Sequence, residues 1–329
     1  MKSEKGFTLV ELVMVIAILS IVSTLAVNRI GALREKAARR VSIANQQSLG
    51  RAVETFLAIG DAGLNRLDSL IDAGTSDSGT AGYDFDDRGA MGAVGGLYRG
   101  PDDEYDGLSA EQIREKNSGL YDDGPSSLVS VLCTYRASEA EAEALRKLGL
   151  KYVMRHNTHA NASGSYAALP SSKYECDDKS VPQTLDGMDA ELSACVAKTV
   201  TNGMVFAAVN PATHVGRTIF QACGQDLPSN KSLGESYDTA TAAAEARASG
   251  GVLLAFGLGA SSSIVGAAQG IDSVPYCEVL PRRFYRQYVL LFRLRSSGSG
   301  GASGTAAEFA GVLDPMGNTV AAARQALKN

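Results

Sequence analysis

Residues 7–27, FTLVELVMVIAILSIVSTLAV, form a nearly unbroken apolar run that starts abruptly after the short charged segment Met-Lys-Ser-Glu-Lys-Gly. As an α-helix these 21 residues span about 31 Å, one hydrocarbon thickness. One charge lies inside the run, Glu11. Arg29 follows it directly, then Arg34, Glu35, Lys36, Arg39 and Arg40, so the apolar helix emerges into a basic continuation. Three plain readings compete: a membrane anchor, a secretory signal peptide cut after Ala26 (Thr24 and Ala26 are small enough for such a site), and a buried core helix. A position at the extreme terminus argues against a core helix. Glu11 argues against the other two. An ionised carboxylate inside a spanning helix costs about 2.5–3.5 kcal/mol on insertion scales, and neither a generic anchor nor a signal core has use for one. A carboxylate placed there needs a partner.

Composition removes several classes. With 329 residues, 45% hydrophobic and 20% charged, the chain is neither collagen-like, wholly disordered nor a coiled coil, and it can build a real core. A net charge of −5 leaves no overall basic footprint for nucleic acid, and none is expected as a partner. Five cysteines without a CxxC spacing rule out a disulfide scaffold, a zinc ribbon and a thioredoxin-type motif.

The amino-terminal residues carry a resemblance. Gly6-Phe7-Thr8-Leu9-Val10-Glu11, with the apolar run behind it, closely resembles the prepilin leader of type IV pilins and type II secretion pseudopilins, over roughly residues 1–60. Three elements coincide: a charged leader ending in Gly, an aromatic start, and a Glu four residues on. The resemblance implies cleavage between Gly6 and Phe7 by a prepilin peptidase on the cytoplasmic side, then N-methylation of Phe7. It implies storage as a single-pass protein of the inner (cytoplasmic) membrane with its head outside the cytoplasm. It implies later assembly into a periplasmic or cell-surface filament through an inner-membrane platform. The other partners implied are the bilayer, further copies of the chain and related pilin-like subunits. Glu11 then has a physical role. In a low-dielectric filament core an unpaired carboxylate is costly, and the cationic amino group of Phe7 on a neighbouring subunit is its natural partner. Many members carry a helix-breaking proline in the stretch occupied here by residues 26–29, and a glycine near Ser20; this sequence has neither.

The helix is expected to continue. Residues 32–59 contain no proline, and Leu33, Ala37, Val41, Ala44, Leu49, Ala52, Val53, Phe56 and Leu57 recur near helical spacing, with a stop at Gly60-Asp61-Ala62-Gly63. The domain reading is a leader at 1–6, a membrane and assembly helix at 7–60, and a head at 61–329. From about 65 to 127 the chain is polar, acidic and glycine-rich, and reads as long loops with short elements, among them Ala110–Lys116 as a helical turn. Later punctuation is more regular. Ser138 and Glu141 make a capping box before a helix to Leu148. Strands are expected at Leu150–Met154, Met204–Val209, Val252–Phe256 and Arg286–Arg295, and helices at Thr239–Ser249 and Thr319–Leu327. In the strand 286–295, Tyr288, Leu290, Phe292 and Leu294 share a face while Val289 and Leu291 make the other apolar too. Ala306–Leu313 returns antiparallel after the flexible run SSGSGGASG, and a turn follows at Asp314-Pro315-Met316-Gly317. The fold class is α+β: a long amino-terminal helix, half transmembrane and half amphipathic, packed on a largely antiparallel sheet with extra helices and long loops.

Candidate sites in the head are sparse. Asp102, Glu104 and Asp106 with Gly107 imitate the start of an EF-hand loop, but Ile113 stands where the closing carboxylate belongs. A solvated acidic loop is the plainer reading, and calcium is the one cofactor the pattern admits. His156 and His159 lack further zinc ligands nearby, and His214 stands alone. Gly257-Leu258-Gly259 has Ser262 where a dinucleotide fingerprint needs glycine. Cys176 and Cys195 are the first choice for a disulfide in an oxidising compartment, against the alternative that all five cysteines stay reduced. No acid, base and nucleophile converge in sequence, so the chain reads as a structural subunit and not an enzyme. The alternative is a membrane-tethered binding or enzymatic domain that borrowed the leader for export.

Overall fold

Strands whose both faces are apolar must be covered on both sides, and this requirement organises the head. The computed structural model describes residues 9–59, 63–72, 75–85, 128–156, 195–231, 235–259, 262–266, 270–275, 287–296 and 304–327. The elements in chain order are α1 (Leu9–Ile59), β1 (Leu67–Asp72), β2 (Gly82–Asp84), α2 (Leu128–Val131), β3 (Leu132–Arg136), α3 (Glu139–Lys147), β4 (Tyr152–His156) and β5 (Cys195–Thr199). Then come β6 (Val205–Val209), α4 (His214–Ala222), α5 (Thr239–Ala248), β7 (Val252–Gly257), β8 (Val289–Ser296), β9 (Thr305–Leu313) and α6 (Val320–Ala326). The nine described strands make one sheet in the order β2-β3-β6-β7-β1-β4-β5, with β8 and then β9 added alongside β7. Every pairing is antiparallel except β1 with β4. The α+β class with a largely antiparallel sheet is therefore observed.

Side chains alternate across the sheet as the two-residue period requires. On one face lie Tyr135, Phe206, Leu254, Phe256, Leu290 and Phe292, covered by Leu49, Val53 and Phe56 of α1 and by Ala142 and Leu145 of α3. On the other lie Val205, Ala207, Leu253, Ala255, Val289 and Leu291, covered by α2, α4 and α5 through Val131, Ile219, Phe220 and Ala246. The head is thus three layers, helix–sheet–helix. Phe206, Phe256, Phe292 and Phe309 form a chain of edge-on ring contacts at 5.6–5.7 Å across four strands.

Local signals explain most elements. Both carboxylate oxygens of Glu141 are used at the start of α3: Oε2 accepts from the Ser138 amide at 2.8 Å and its hydroxyl at 2.9 Å, and Oε1 accepts from Tyr135 Oη at 2.6 Å. Asp238 caps α5 and Thr319 caps α6, each accepting an amide with its side chain. The β8–β9 hairpin and the turn closed by Gly317 N–H on the Asp314 carbonyl stand as the sequence indicates. After α3 the chain crosses its own entry point at Gly63 and Gly149. A Cβ on Gly149, whose φ is 103°, would stand 2.2 Å from the Gly63 Cα, so neither position accepts a side chain.

Several elements differ from the sequence reading. The short elements expected in the stretch 65–127 include two strands that the sequence reading does not place, β1 and β2, and β1 is interior to the sheet. Its sequence, LDSLID, hides a buried strand behind polar residues. Asp68 and Ser69 are fully buried yet satisfied: Asp68 Oδ1 accepts from the Leu70 amide at 2.8 Å, and Ser69 Oγ donates to the Met154 carbonyl at 2.9 Å. Leu70 has φ 60°, and the register with β4 slips between Asp68 and Asp72, so the strand carries a bulge. The strand expected at 150–154 lies at 152–156, and β3, β5 and α4 are further elements that the sequence reading does not contain. Ala110–Lys116 lies outside the described residues.

One junction in the sheet is closed by side chains. β8 pairs along all of β7 from Val252 to Gly257, so β6 and β1 must share the opposite edge. β6 pairs at Leu254 and Ala255, and β1 takes over at Gly257. Val205, at the start of β6, is left facing the gap. Its amide donates to Asp77 Oδ1 at 3.0 Å, and its carbonyl accepts from Arg155 Nη2 at 3.0 Å. Arg155 is fully buried, forks onto both oxygens of Asp77, and donates to the Thr75 carbonyl; Lys198 adds a second cation at 3.3 Å. The pair supplies the donor and acceptor that a neighbouring strand would have supplied.

Two outcomes follow from that junction. Arg155→Met should destabilise the head by about 3 kcal/mol in denaturant unfolding, the low end for removing one partner of a buried pair, because Asp77 remains partly exposed. Burial pushes the Asp77 carboxyl up, but hydrogen bonds and charge from Arg155, the Val205 amide and Lys198 outweigh it and hold the group below its ordinary 3.8. A depressed pKa contributes stability above the ordinary value that is lost as pH falls through the folded one. Unfolding midpoints compared between pH 5 and pH 3 should therefore drop less for Asp77→Asn than for the unaltered protein.

Candidate functional site

Of the residues that carry chemistry on sequence grounds, Glu11 lies on α1, so the site is built from that helix and its seat on the head. α1 runs Leu9–Ile59, about 76 Å at 1.5 Å per residue. Ser42, Ile43, Gln46, Leu49, Val53 and Phe56 are buried, recurring every three or four residues on one side. This stripe differs from the sequence reading at its start. Val41 is 54% exposed and Ala44 is exposed, whereas polar Ser42 and Gln46 face inward. The reason is a polar seat. Tyr288 Oη, at the base of β8, donates to Ser42 Oγ at 3.1 Å and accepts from Asn45 Nδ2 at 3.4 Å. Gln46 Nε2 donates to the Asn318 carbonyl at 2.7 Å.

Asn318 belongs to the turn ordered by Asp314, whose Oδ1 accepts the amides of Met316 and Asn318 at 3.0 and 2.8 Å. Burial raises the Asp314 carboxyl; the Asn318 and Met316 contacts and the charge of Arg39 on α1 pull it back only in part. Above the polar seat the contact becomes apolar, and α1 joins the core. Ser42 and Gln46, one turn apart and in phase with Leu49 and Val53, were the available signal for the seat; their partners Tyr288, Asp314 and Asn318 come from the far end of the chain and gave none.

Toward the other end of α1 the described side chains are exposed. Val13, Met14, Val15, Ile16 and Ile18 are each about half exposed or more, between 48% and 62%. At 100° per residue these five positions point all round the helix, so the exposed surface is a greasy cylinder and not a stripe. Ser20, the one described polar side chain here, donates its hydroxyl to the Ile16 carbonyl at 2.8 Å and so satisfies itself within the helix. Among the residues whose side chains are described, no helix is long and apolar enough to cross a membrane. Of the run 7–27, only residues 13–16, 18 and 20 have described side chains, so that statement does not cover the run as a whole. Gly6 and Phe7 lie outside the described residues; Glu11 lies in α1 one turn before Val15.

The remaining sequence candidates are dispersed or outside the described residues. Asp102, Glu104, Asp106, His159 and Cys176 are outside them, and Cys195 begins β5. No group of three metal-ligating side chains occurs among the described residues. His156 ends β4, while His214 begins α4. Cys133 is buried with its Sγ 3.7 Å from the Ala208 carbonyl, and burial pushes the Cys223 thiol up to about 11, which leaves it no activated nucleophile. Gly257 and Gly259 are buried at the end of β7.

A cavity of about 480 Å³ lies between β3, α3 and the α5–β7 junction, lined by Tyr135, Ser138, Glu141, Arg247, Val252 and Leu294 among others. Its polar groups largely serve one another: Glu141 already holds Tyr135 Oη and both donors of Ser138. Burial and the Glu141 carboxylate hold the Tyr135 phenol protonated, far above its ordinary range.

The family comparison falls on the stem. The model of the prokaryotic N-terminal methylation motif matches residues 1–27. The chain carries a prepilin leader. The leader of type IV pilins and pseudopilins is therefore present at the place where the charged hexapeptide, the Gly6–Phe7 junction and Glu11 were read from the residues. The match ends at Val27 and does not extend to the head. No curated protein and no solved structure matches the chain.

The seat yields a measurable expectation. Phe56→Ala removes a core ring contributed by the helix and should cost about 3–5 kcal/mol in denaturant unfolding. Tyr288→Phe removes only the hydroxyl bridge to Ser42 and Asn45 and should cost about 1 kcal/mol.

Proposed function

We propose that this protein is a structural, pilin-like subunit, stored in the inner membrane by α1 and assembled through that helix into a filament of the type II secretion or type IV pilus kind. The observation that carries the reading is the prepilin leader at residues 1–27, with Glu11 one helical turn inside the apolar run. The half-exposed apolar residues 13–16 and 18 support it, because such a surface is stable only in lipid or against other apolar helices. The seating of α1 in the core of the head supports it too, since one helix then links the assembly end to the exported domain.

In this reading a prepilin peptidase cuts between Gly6 and Phe7. Gly6 has no side chain to obstruct the bond. The new amino group of Phe7, then N-methylated, remains cationic and pairs with Glu11 of a neighbouring copy. In a medium of low dielectric that pairing fixes the axial register of a subunit leaving the bilayer, because any other register strands a buried charge. The assembly platform and related pilin-like subunits are the further partners.

Mass spectrometry of the mature amino terminus should find N-methyl-Phe7. A terminus at Val27 would mean an ordinary signal peptide and would end the proposal. Glu11→Ala should be cleaved and methylated normally yet fail to enter filaments; normal assembly of that variant would remove the role given to Glu11.

A further inference from the structure

The basic segment above the apolar run serves neither the core nor the pairing of Glu11. Residues 28–40, NRIGALREKAARR, hold five cations and one acid, a net +4 in a chain that is −5 overall, which leaves −9 for everything else. Arg39 is spoken for, since it lies near Asp314 in the seat. Arg29, Lys36 and Arg40 stand at i, i+7 and i+11 and share one side of α1, with Arg34 apart from them. Lys36 and Arg40 are exposed, and among the described side chains of α1 the first buried one is Ser42.

Their heights matter. Along the helix Arg29 is about 3 Å beyond Val27, Arg34 about 10 Å, Lys36 about 14 Å and Arg40 about 20 Å. The headgroup layer is about 5–8 Å thick on each side of the hydrocarbon, and charges act over a Debye length of about 8 Å beyond it. Arg29 therefore falls inside the headgroup layer, and Arg34 and Lys36 fall within reach of it. Helical Cα–Cβ bonds tilt toward the amino terminus, which here is toward the bilayer, so long side chains at 36 and 40 lean down to it. The acidic remainder of the chain is repelled by the same surface that attracts this collar.

We propose that Arg29, Arg34, Lys36 and Arg40 form a collar that docks on anionic phospholipid headgroups at the outer face of the membrane holding α1. This rests on the reading of α1 as a membrane stem. Docking pins the depth of the helix and keeps the neck between bilayer and head helical while the subunit waits. Extraction into a filament must then break these contacts, so anionic lipid holds the subunit in its stored state.

The test uses the full chain, one copy per lipid nanodisc, in phosphatidylcholine and in phosphatidylcholine with three-tenths phosphatidylglycerol. Amide hydrogen exchange is read separately over residues 13–20 and 28–40. Exchange over 28–40 should be at least about tenfold slower in the anionic discs, and the difference should vanish in 0.5 M salt. It should also vanish in the variant Arg29→Gln/Arg34→Gln/Lys36→Gln/Arg40→Gln, whose residues 13–20 stay protected. Equal exchange in both lipids, with 13–20 protected, overturns the collar and leaves the stem intact. Free exchange over 13–20 in either disc overturns the stem reading itself. Protection over 28–40 that ignores lipid charge and appears only with two copies per disc assigns the collar to the acidic surface of a second copy, and overturns the lipid proposal.

Discussion

One helix has two incompatible surroundings, and the rest of the molecule is arranged around that fact. From Ser42 to Phe56 α1 is a structural member of the head: it covers one face of the sheet and its Leu49, Val53 and Phe56 are core residues. At Val13, Met14, Val15, Ile16 and Ile18 it is about half exposed or more. A helix that is apolar all round must be enclosed by lipid or by other helices. The head cannot do this, because its own core is complete without residues 13–18. The protein therefore carries an unsatisfied hydrophobic demand at one end of an element it cannot release without losing part of its core.

The transition between the two surroundings is graded by polarity. Above Val27 comes a basic stretch, then hydrogen bonds of Ser42, Asn45 and Gln46 to Tyr288 and Asn318, then apolar packing. A polar seat at the rim costs little, since water reaches it in part, yet its geometry is specific. It fixes the rotation of α1 about its axis, which apolar packing alone would tolerate within a range. Inside the head the same logic recurs at the β6–β1 junction. There Asp77 and Arg155 give Val205 the donor and acceptor that the branched sheet withholds, because a buried backbone group left unpaired would cost more than ordering two side chains.

What could be read from the residues divides along physical lines. Elements announced by local rules were legible. The capping box at Ser138–Glu141 and the turn at Asp314 depend on contacts within a few residues, and the strand read at 286–295 and its return at 306–313 are each announced by neighbouring apolar residues. β1 was not legible, because Asp68 and Ser69 interrupt its apolar pattern and are tolerated only through bonds to Leu70 and to Met154 of a strand some eighty residues away. The apolar stripe of α1 was read correctly at Leu49, Val53 and Phe56 and misplaced at Val41, because partners from the far end of the chain made Ser42 and Gln46 the inward positions.

By itself the amino-acid order determined the leader, the greasy run, the lone acid within it and the basic stretch above. These are properties of consecutive residues, and no folding is needed to create them. Only the tertiary structure decided which side of α1 meets the head, that the sheet branches at β7, and that a buried arginine and a quarter-exposed aspartate close the branch. Those features depend on which distant segments share an edge, and the free energy of pairing distant segments is not written in any window of neighbouring residues.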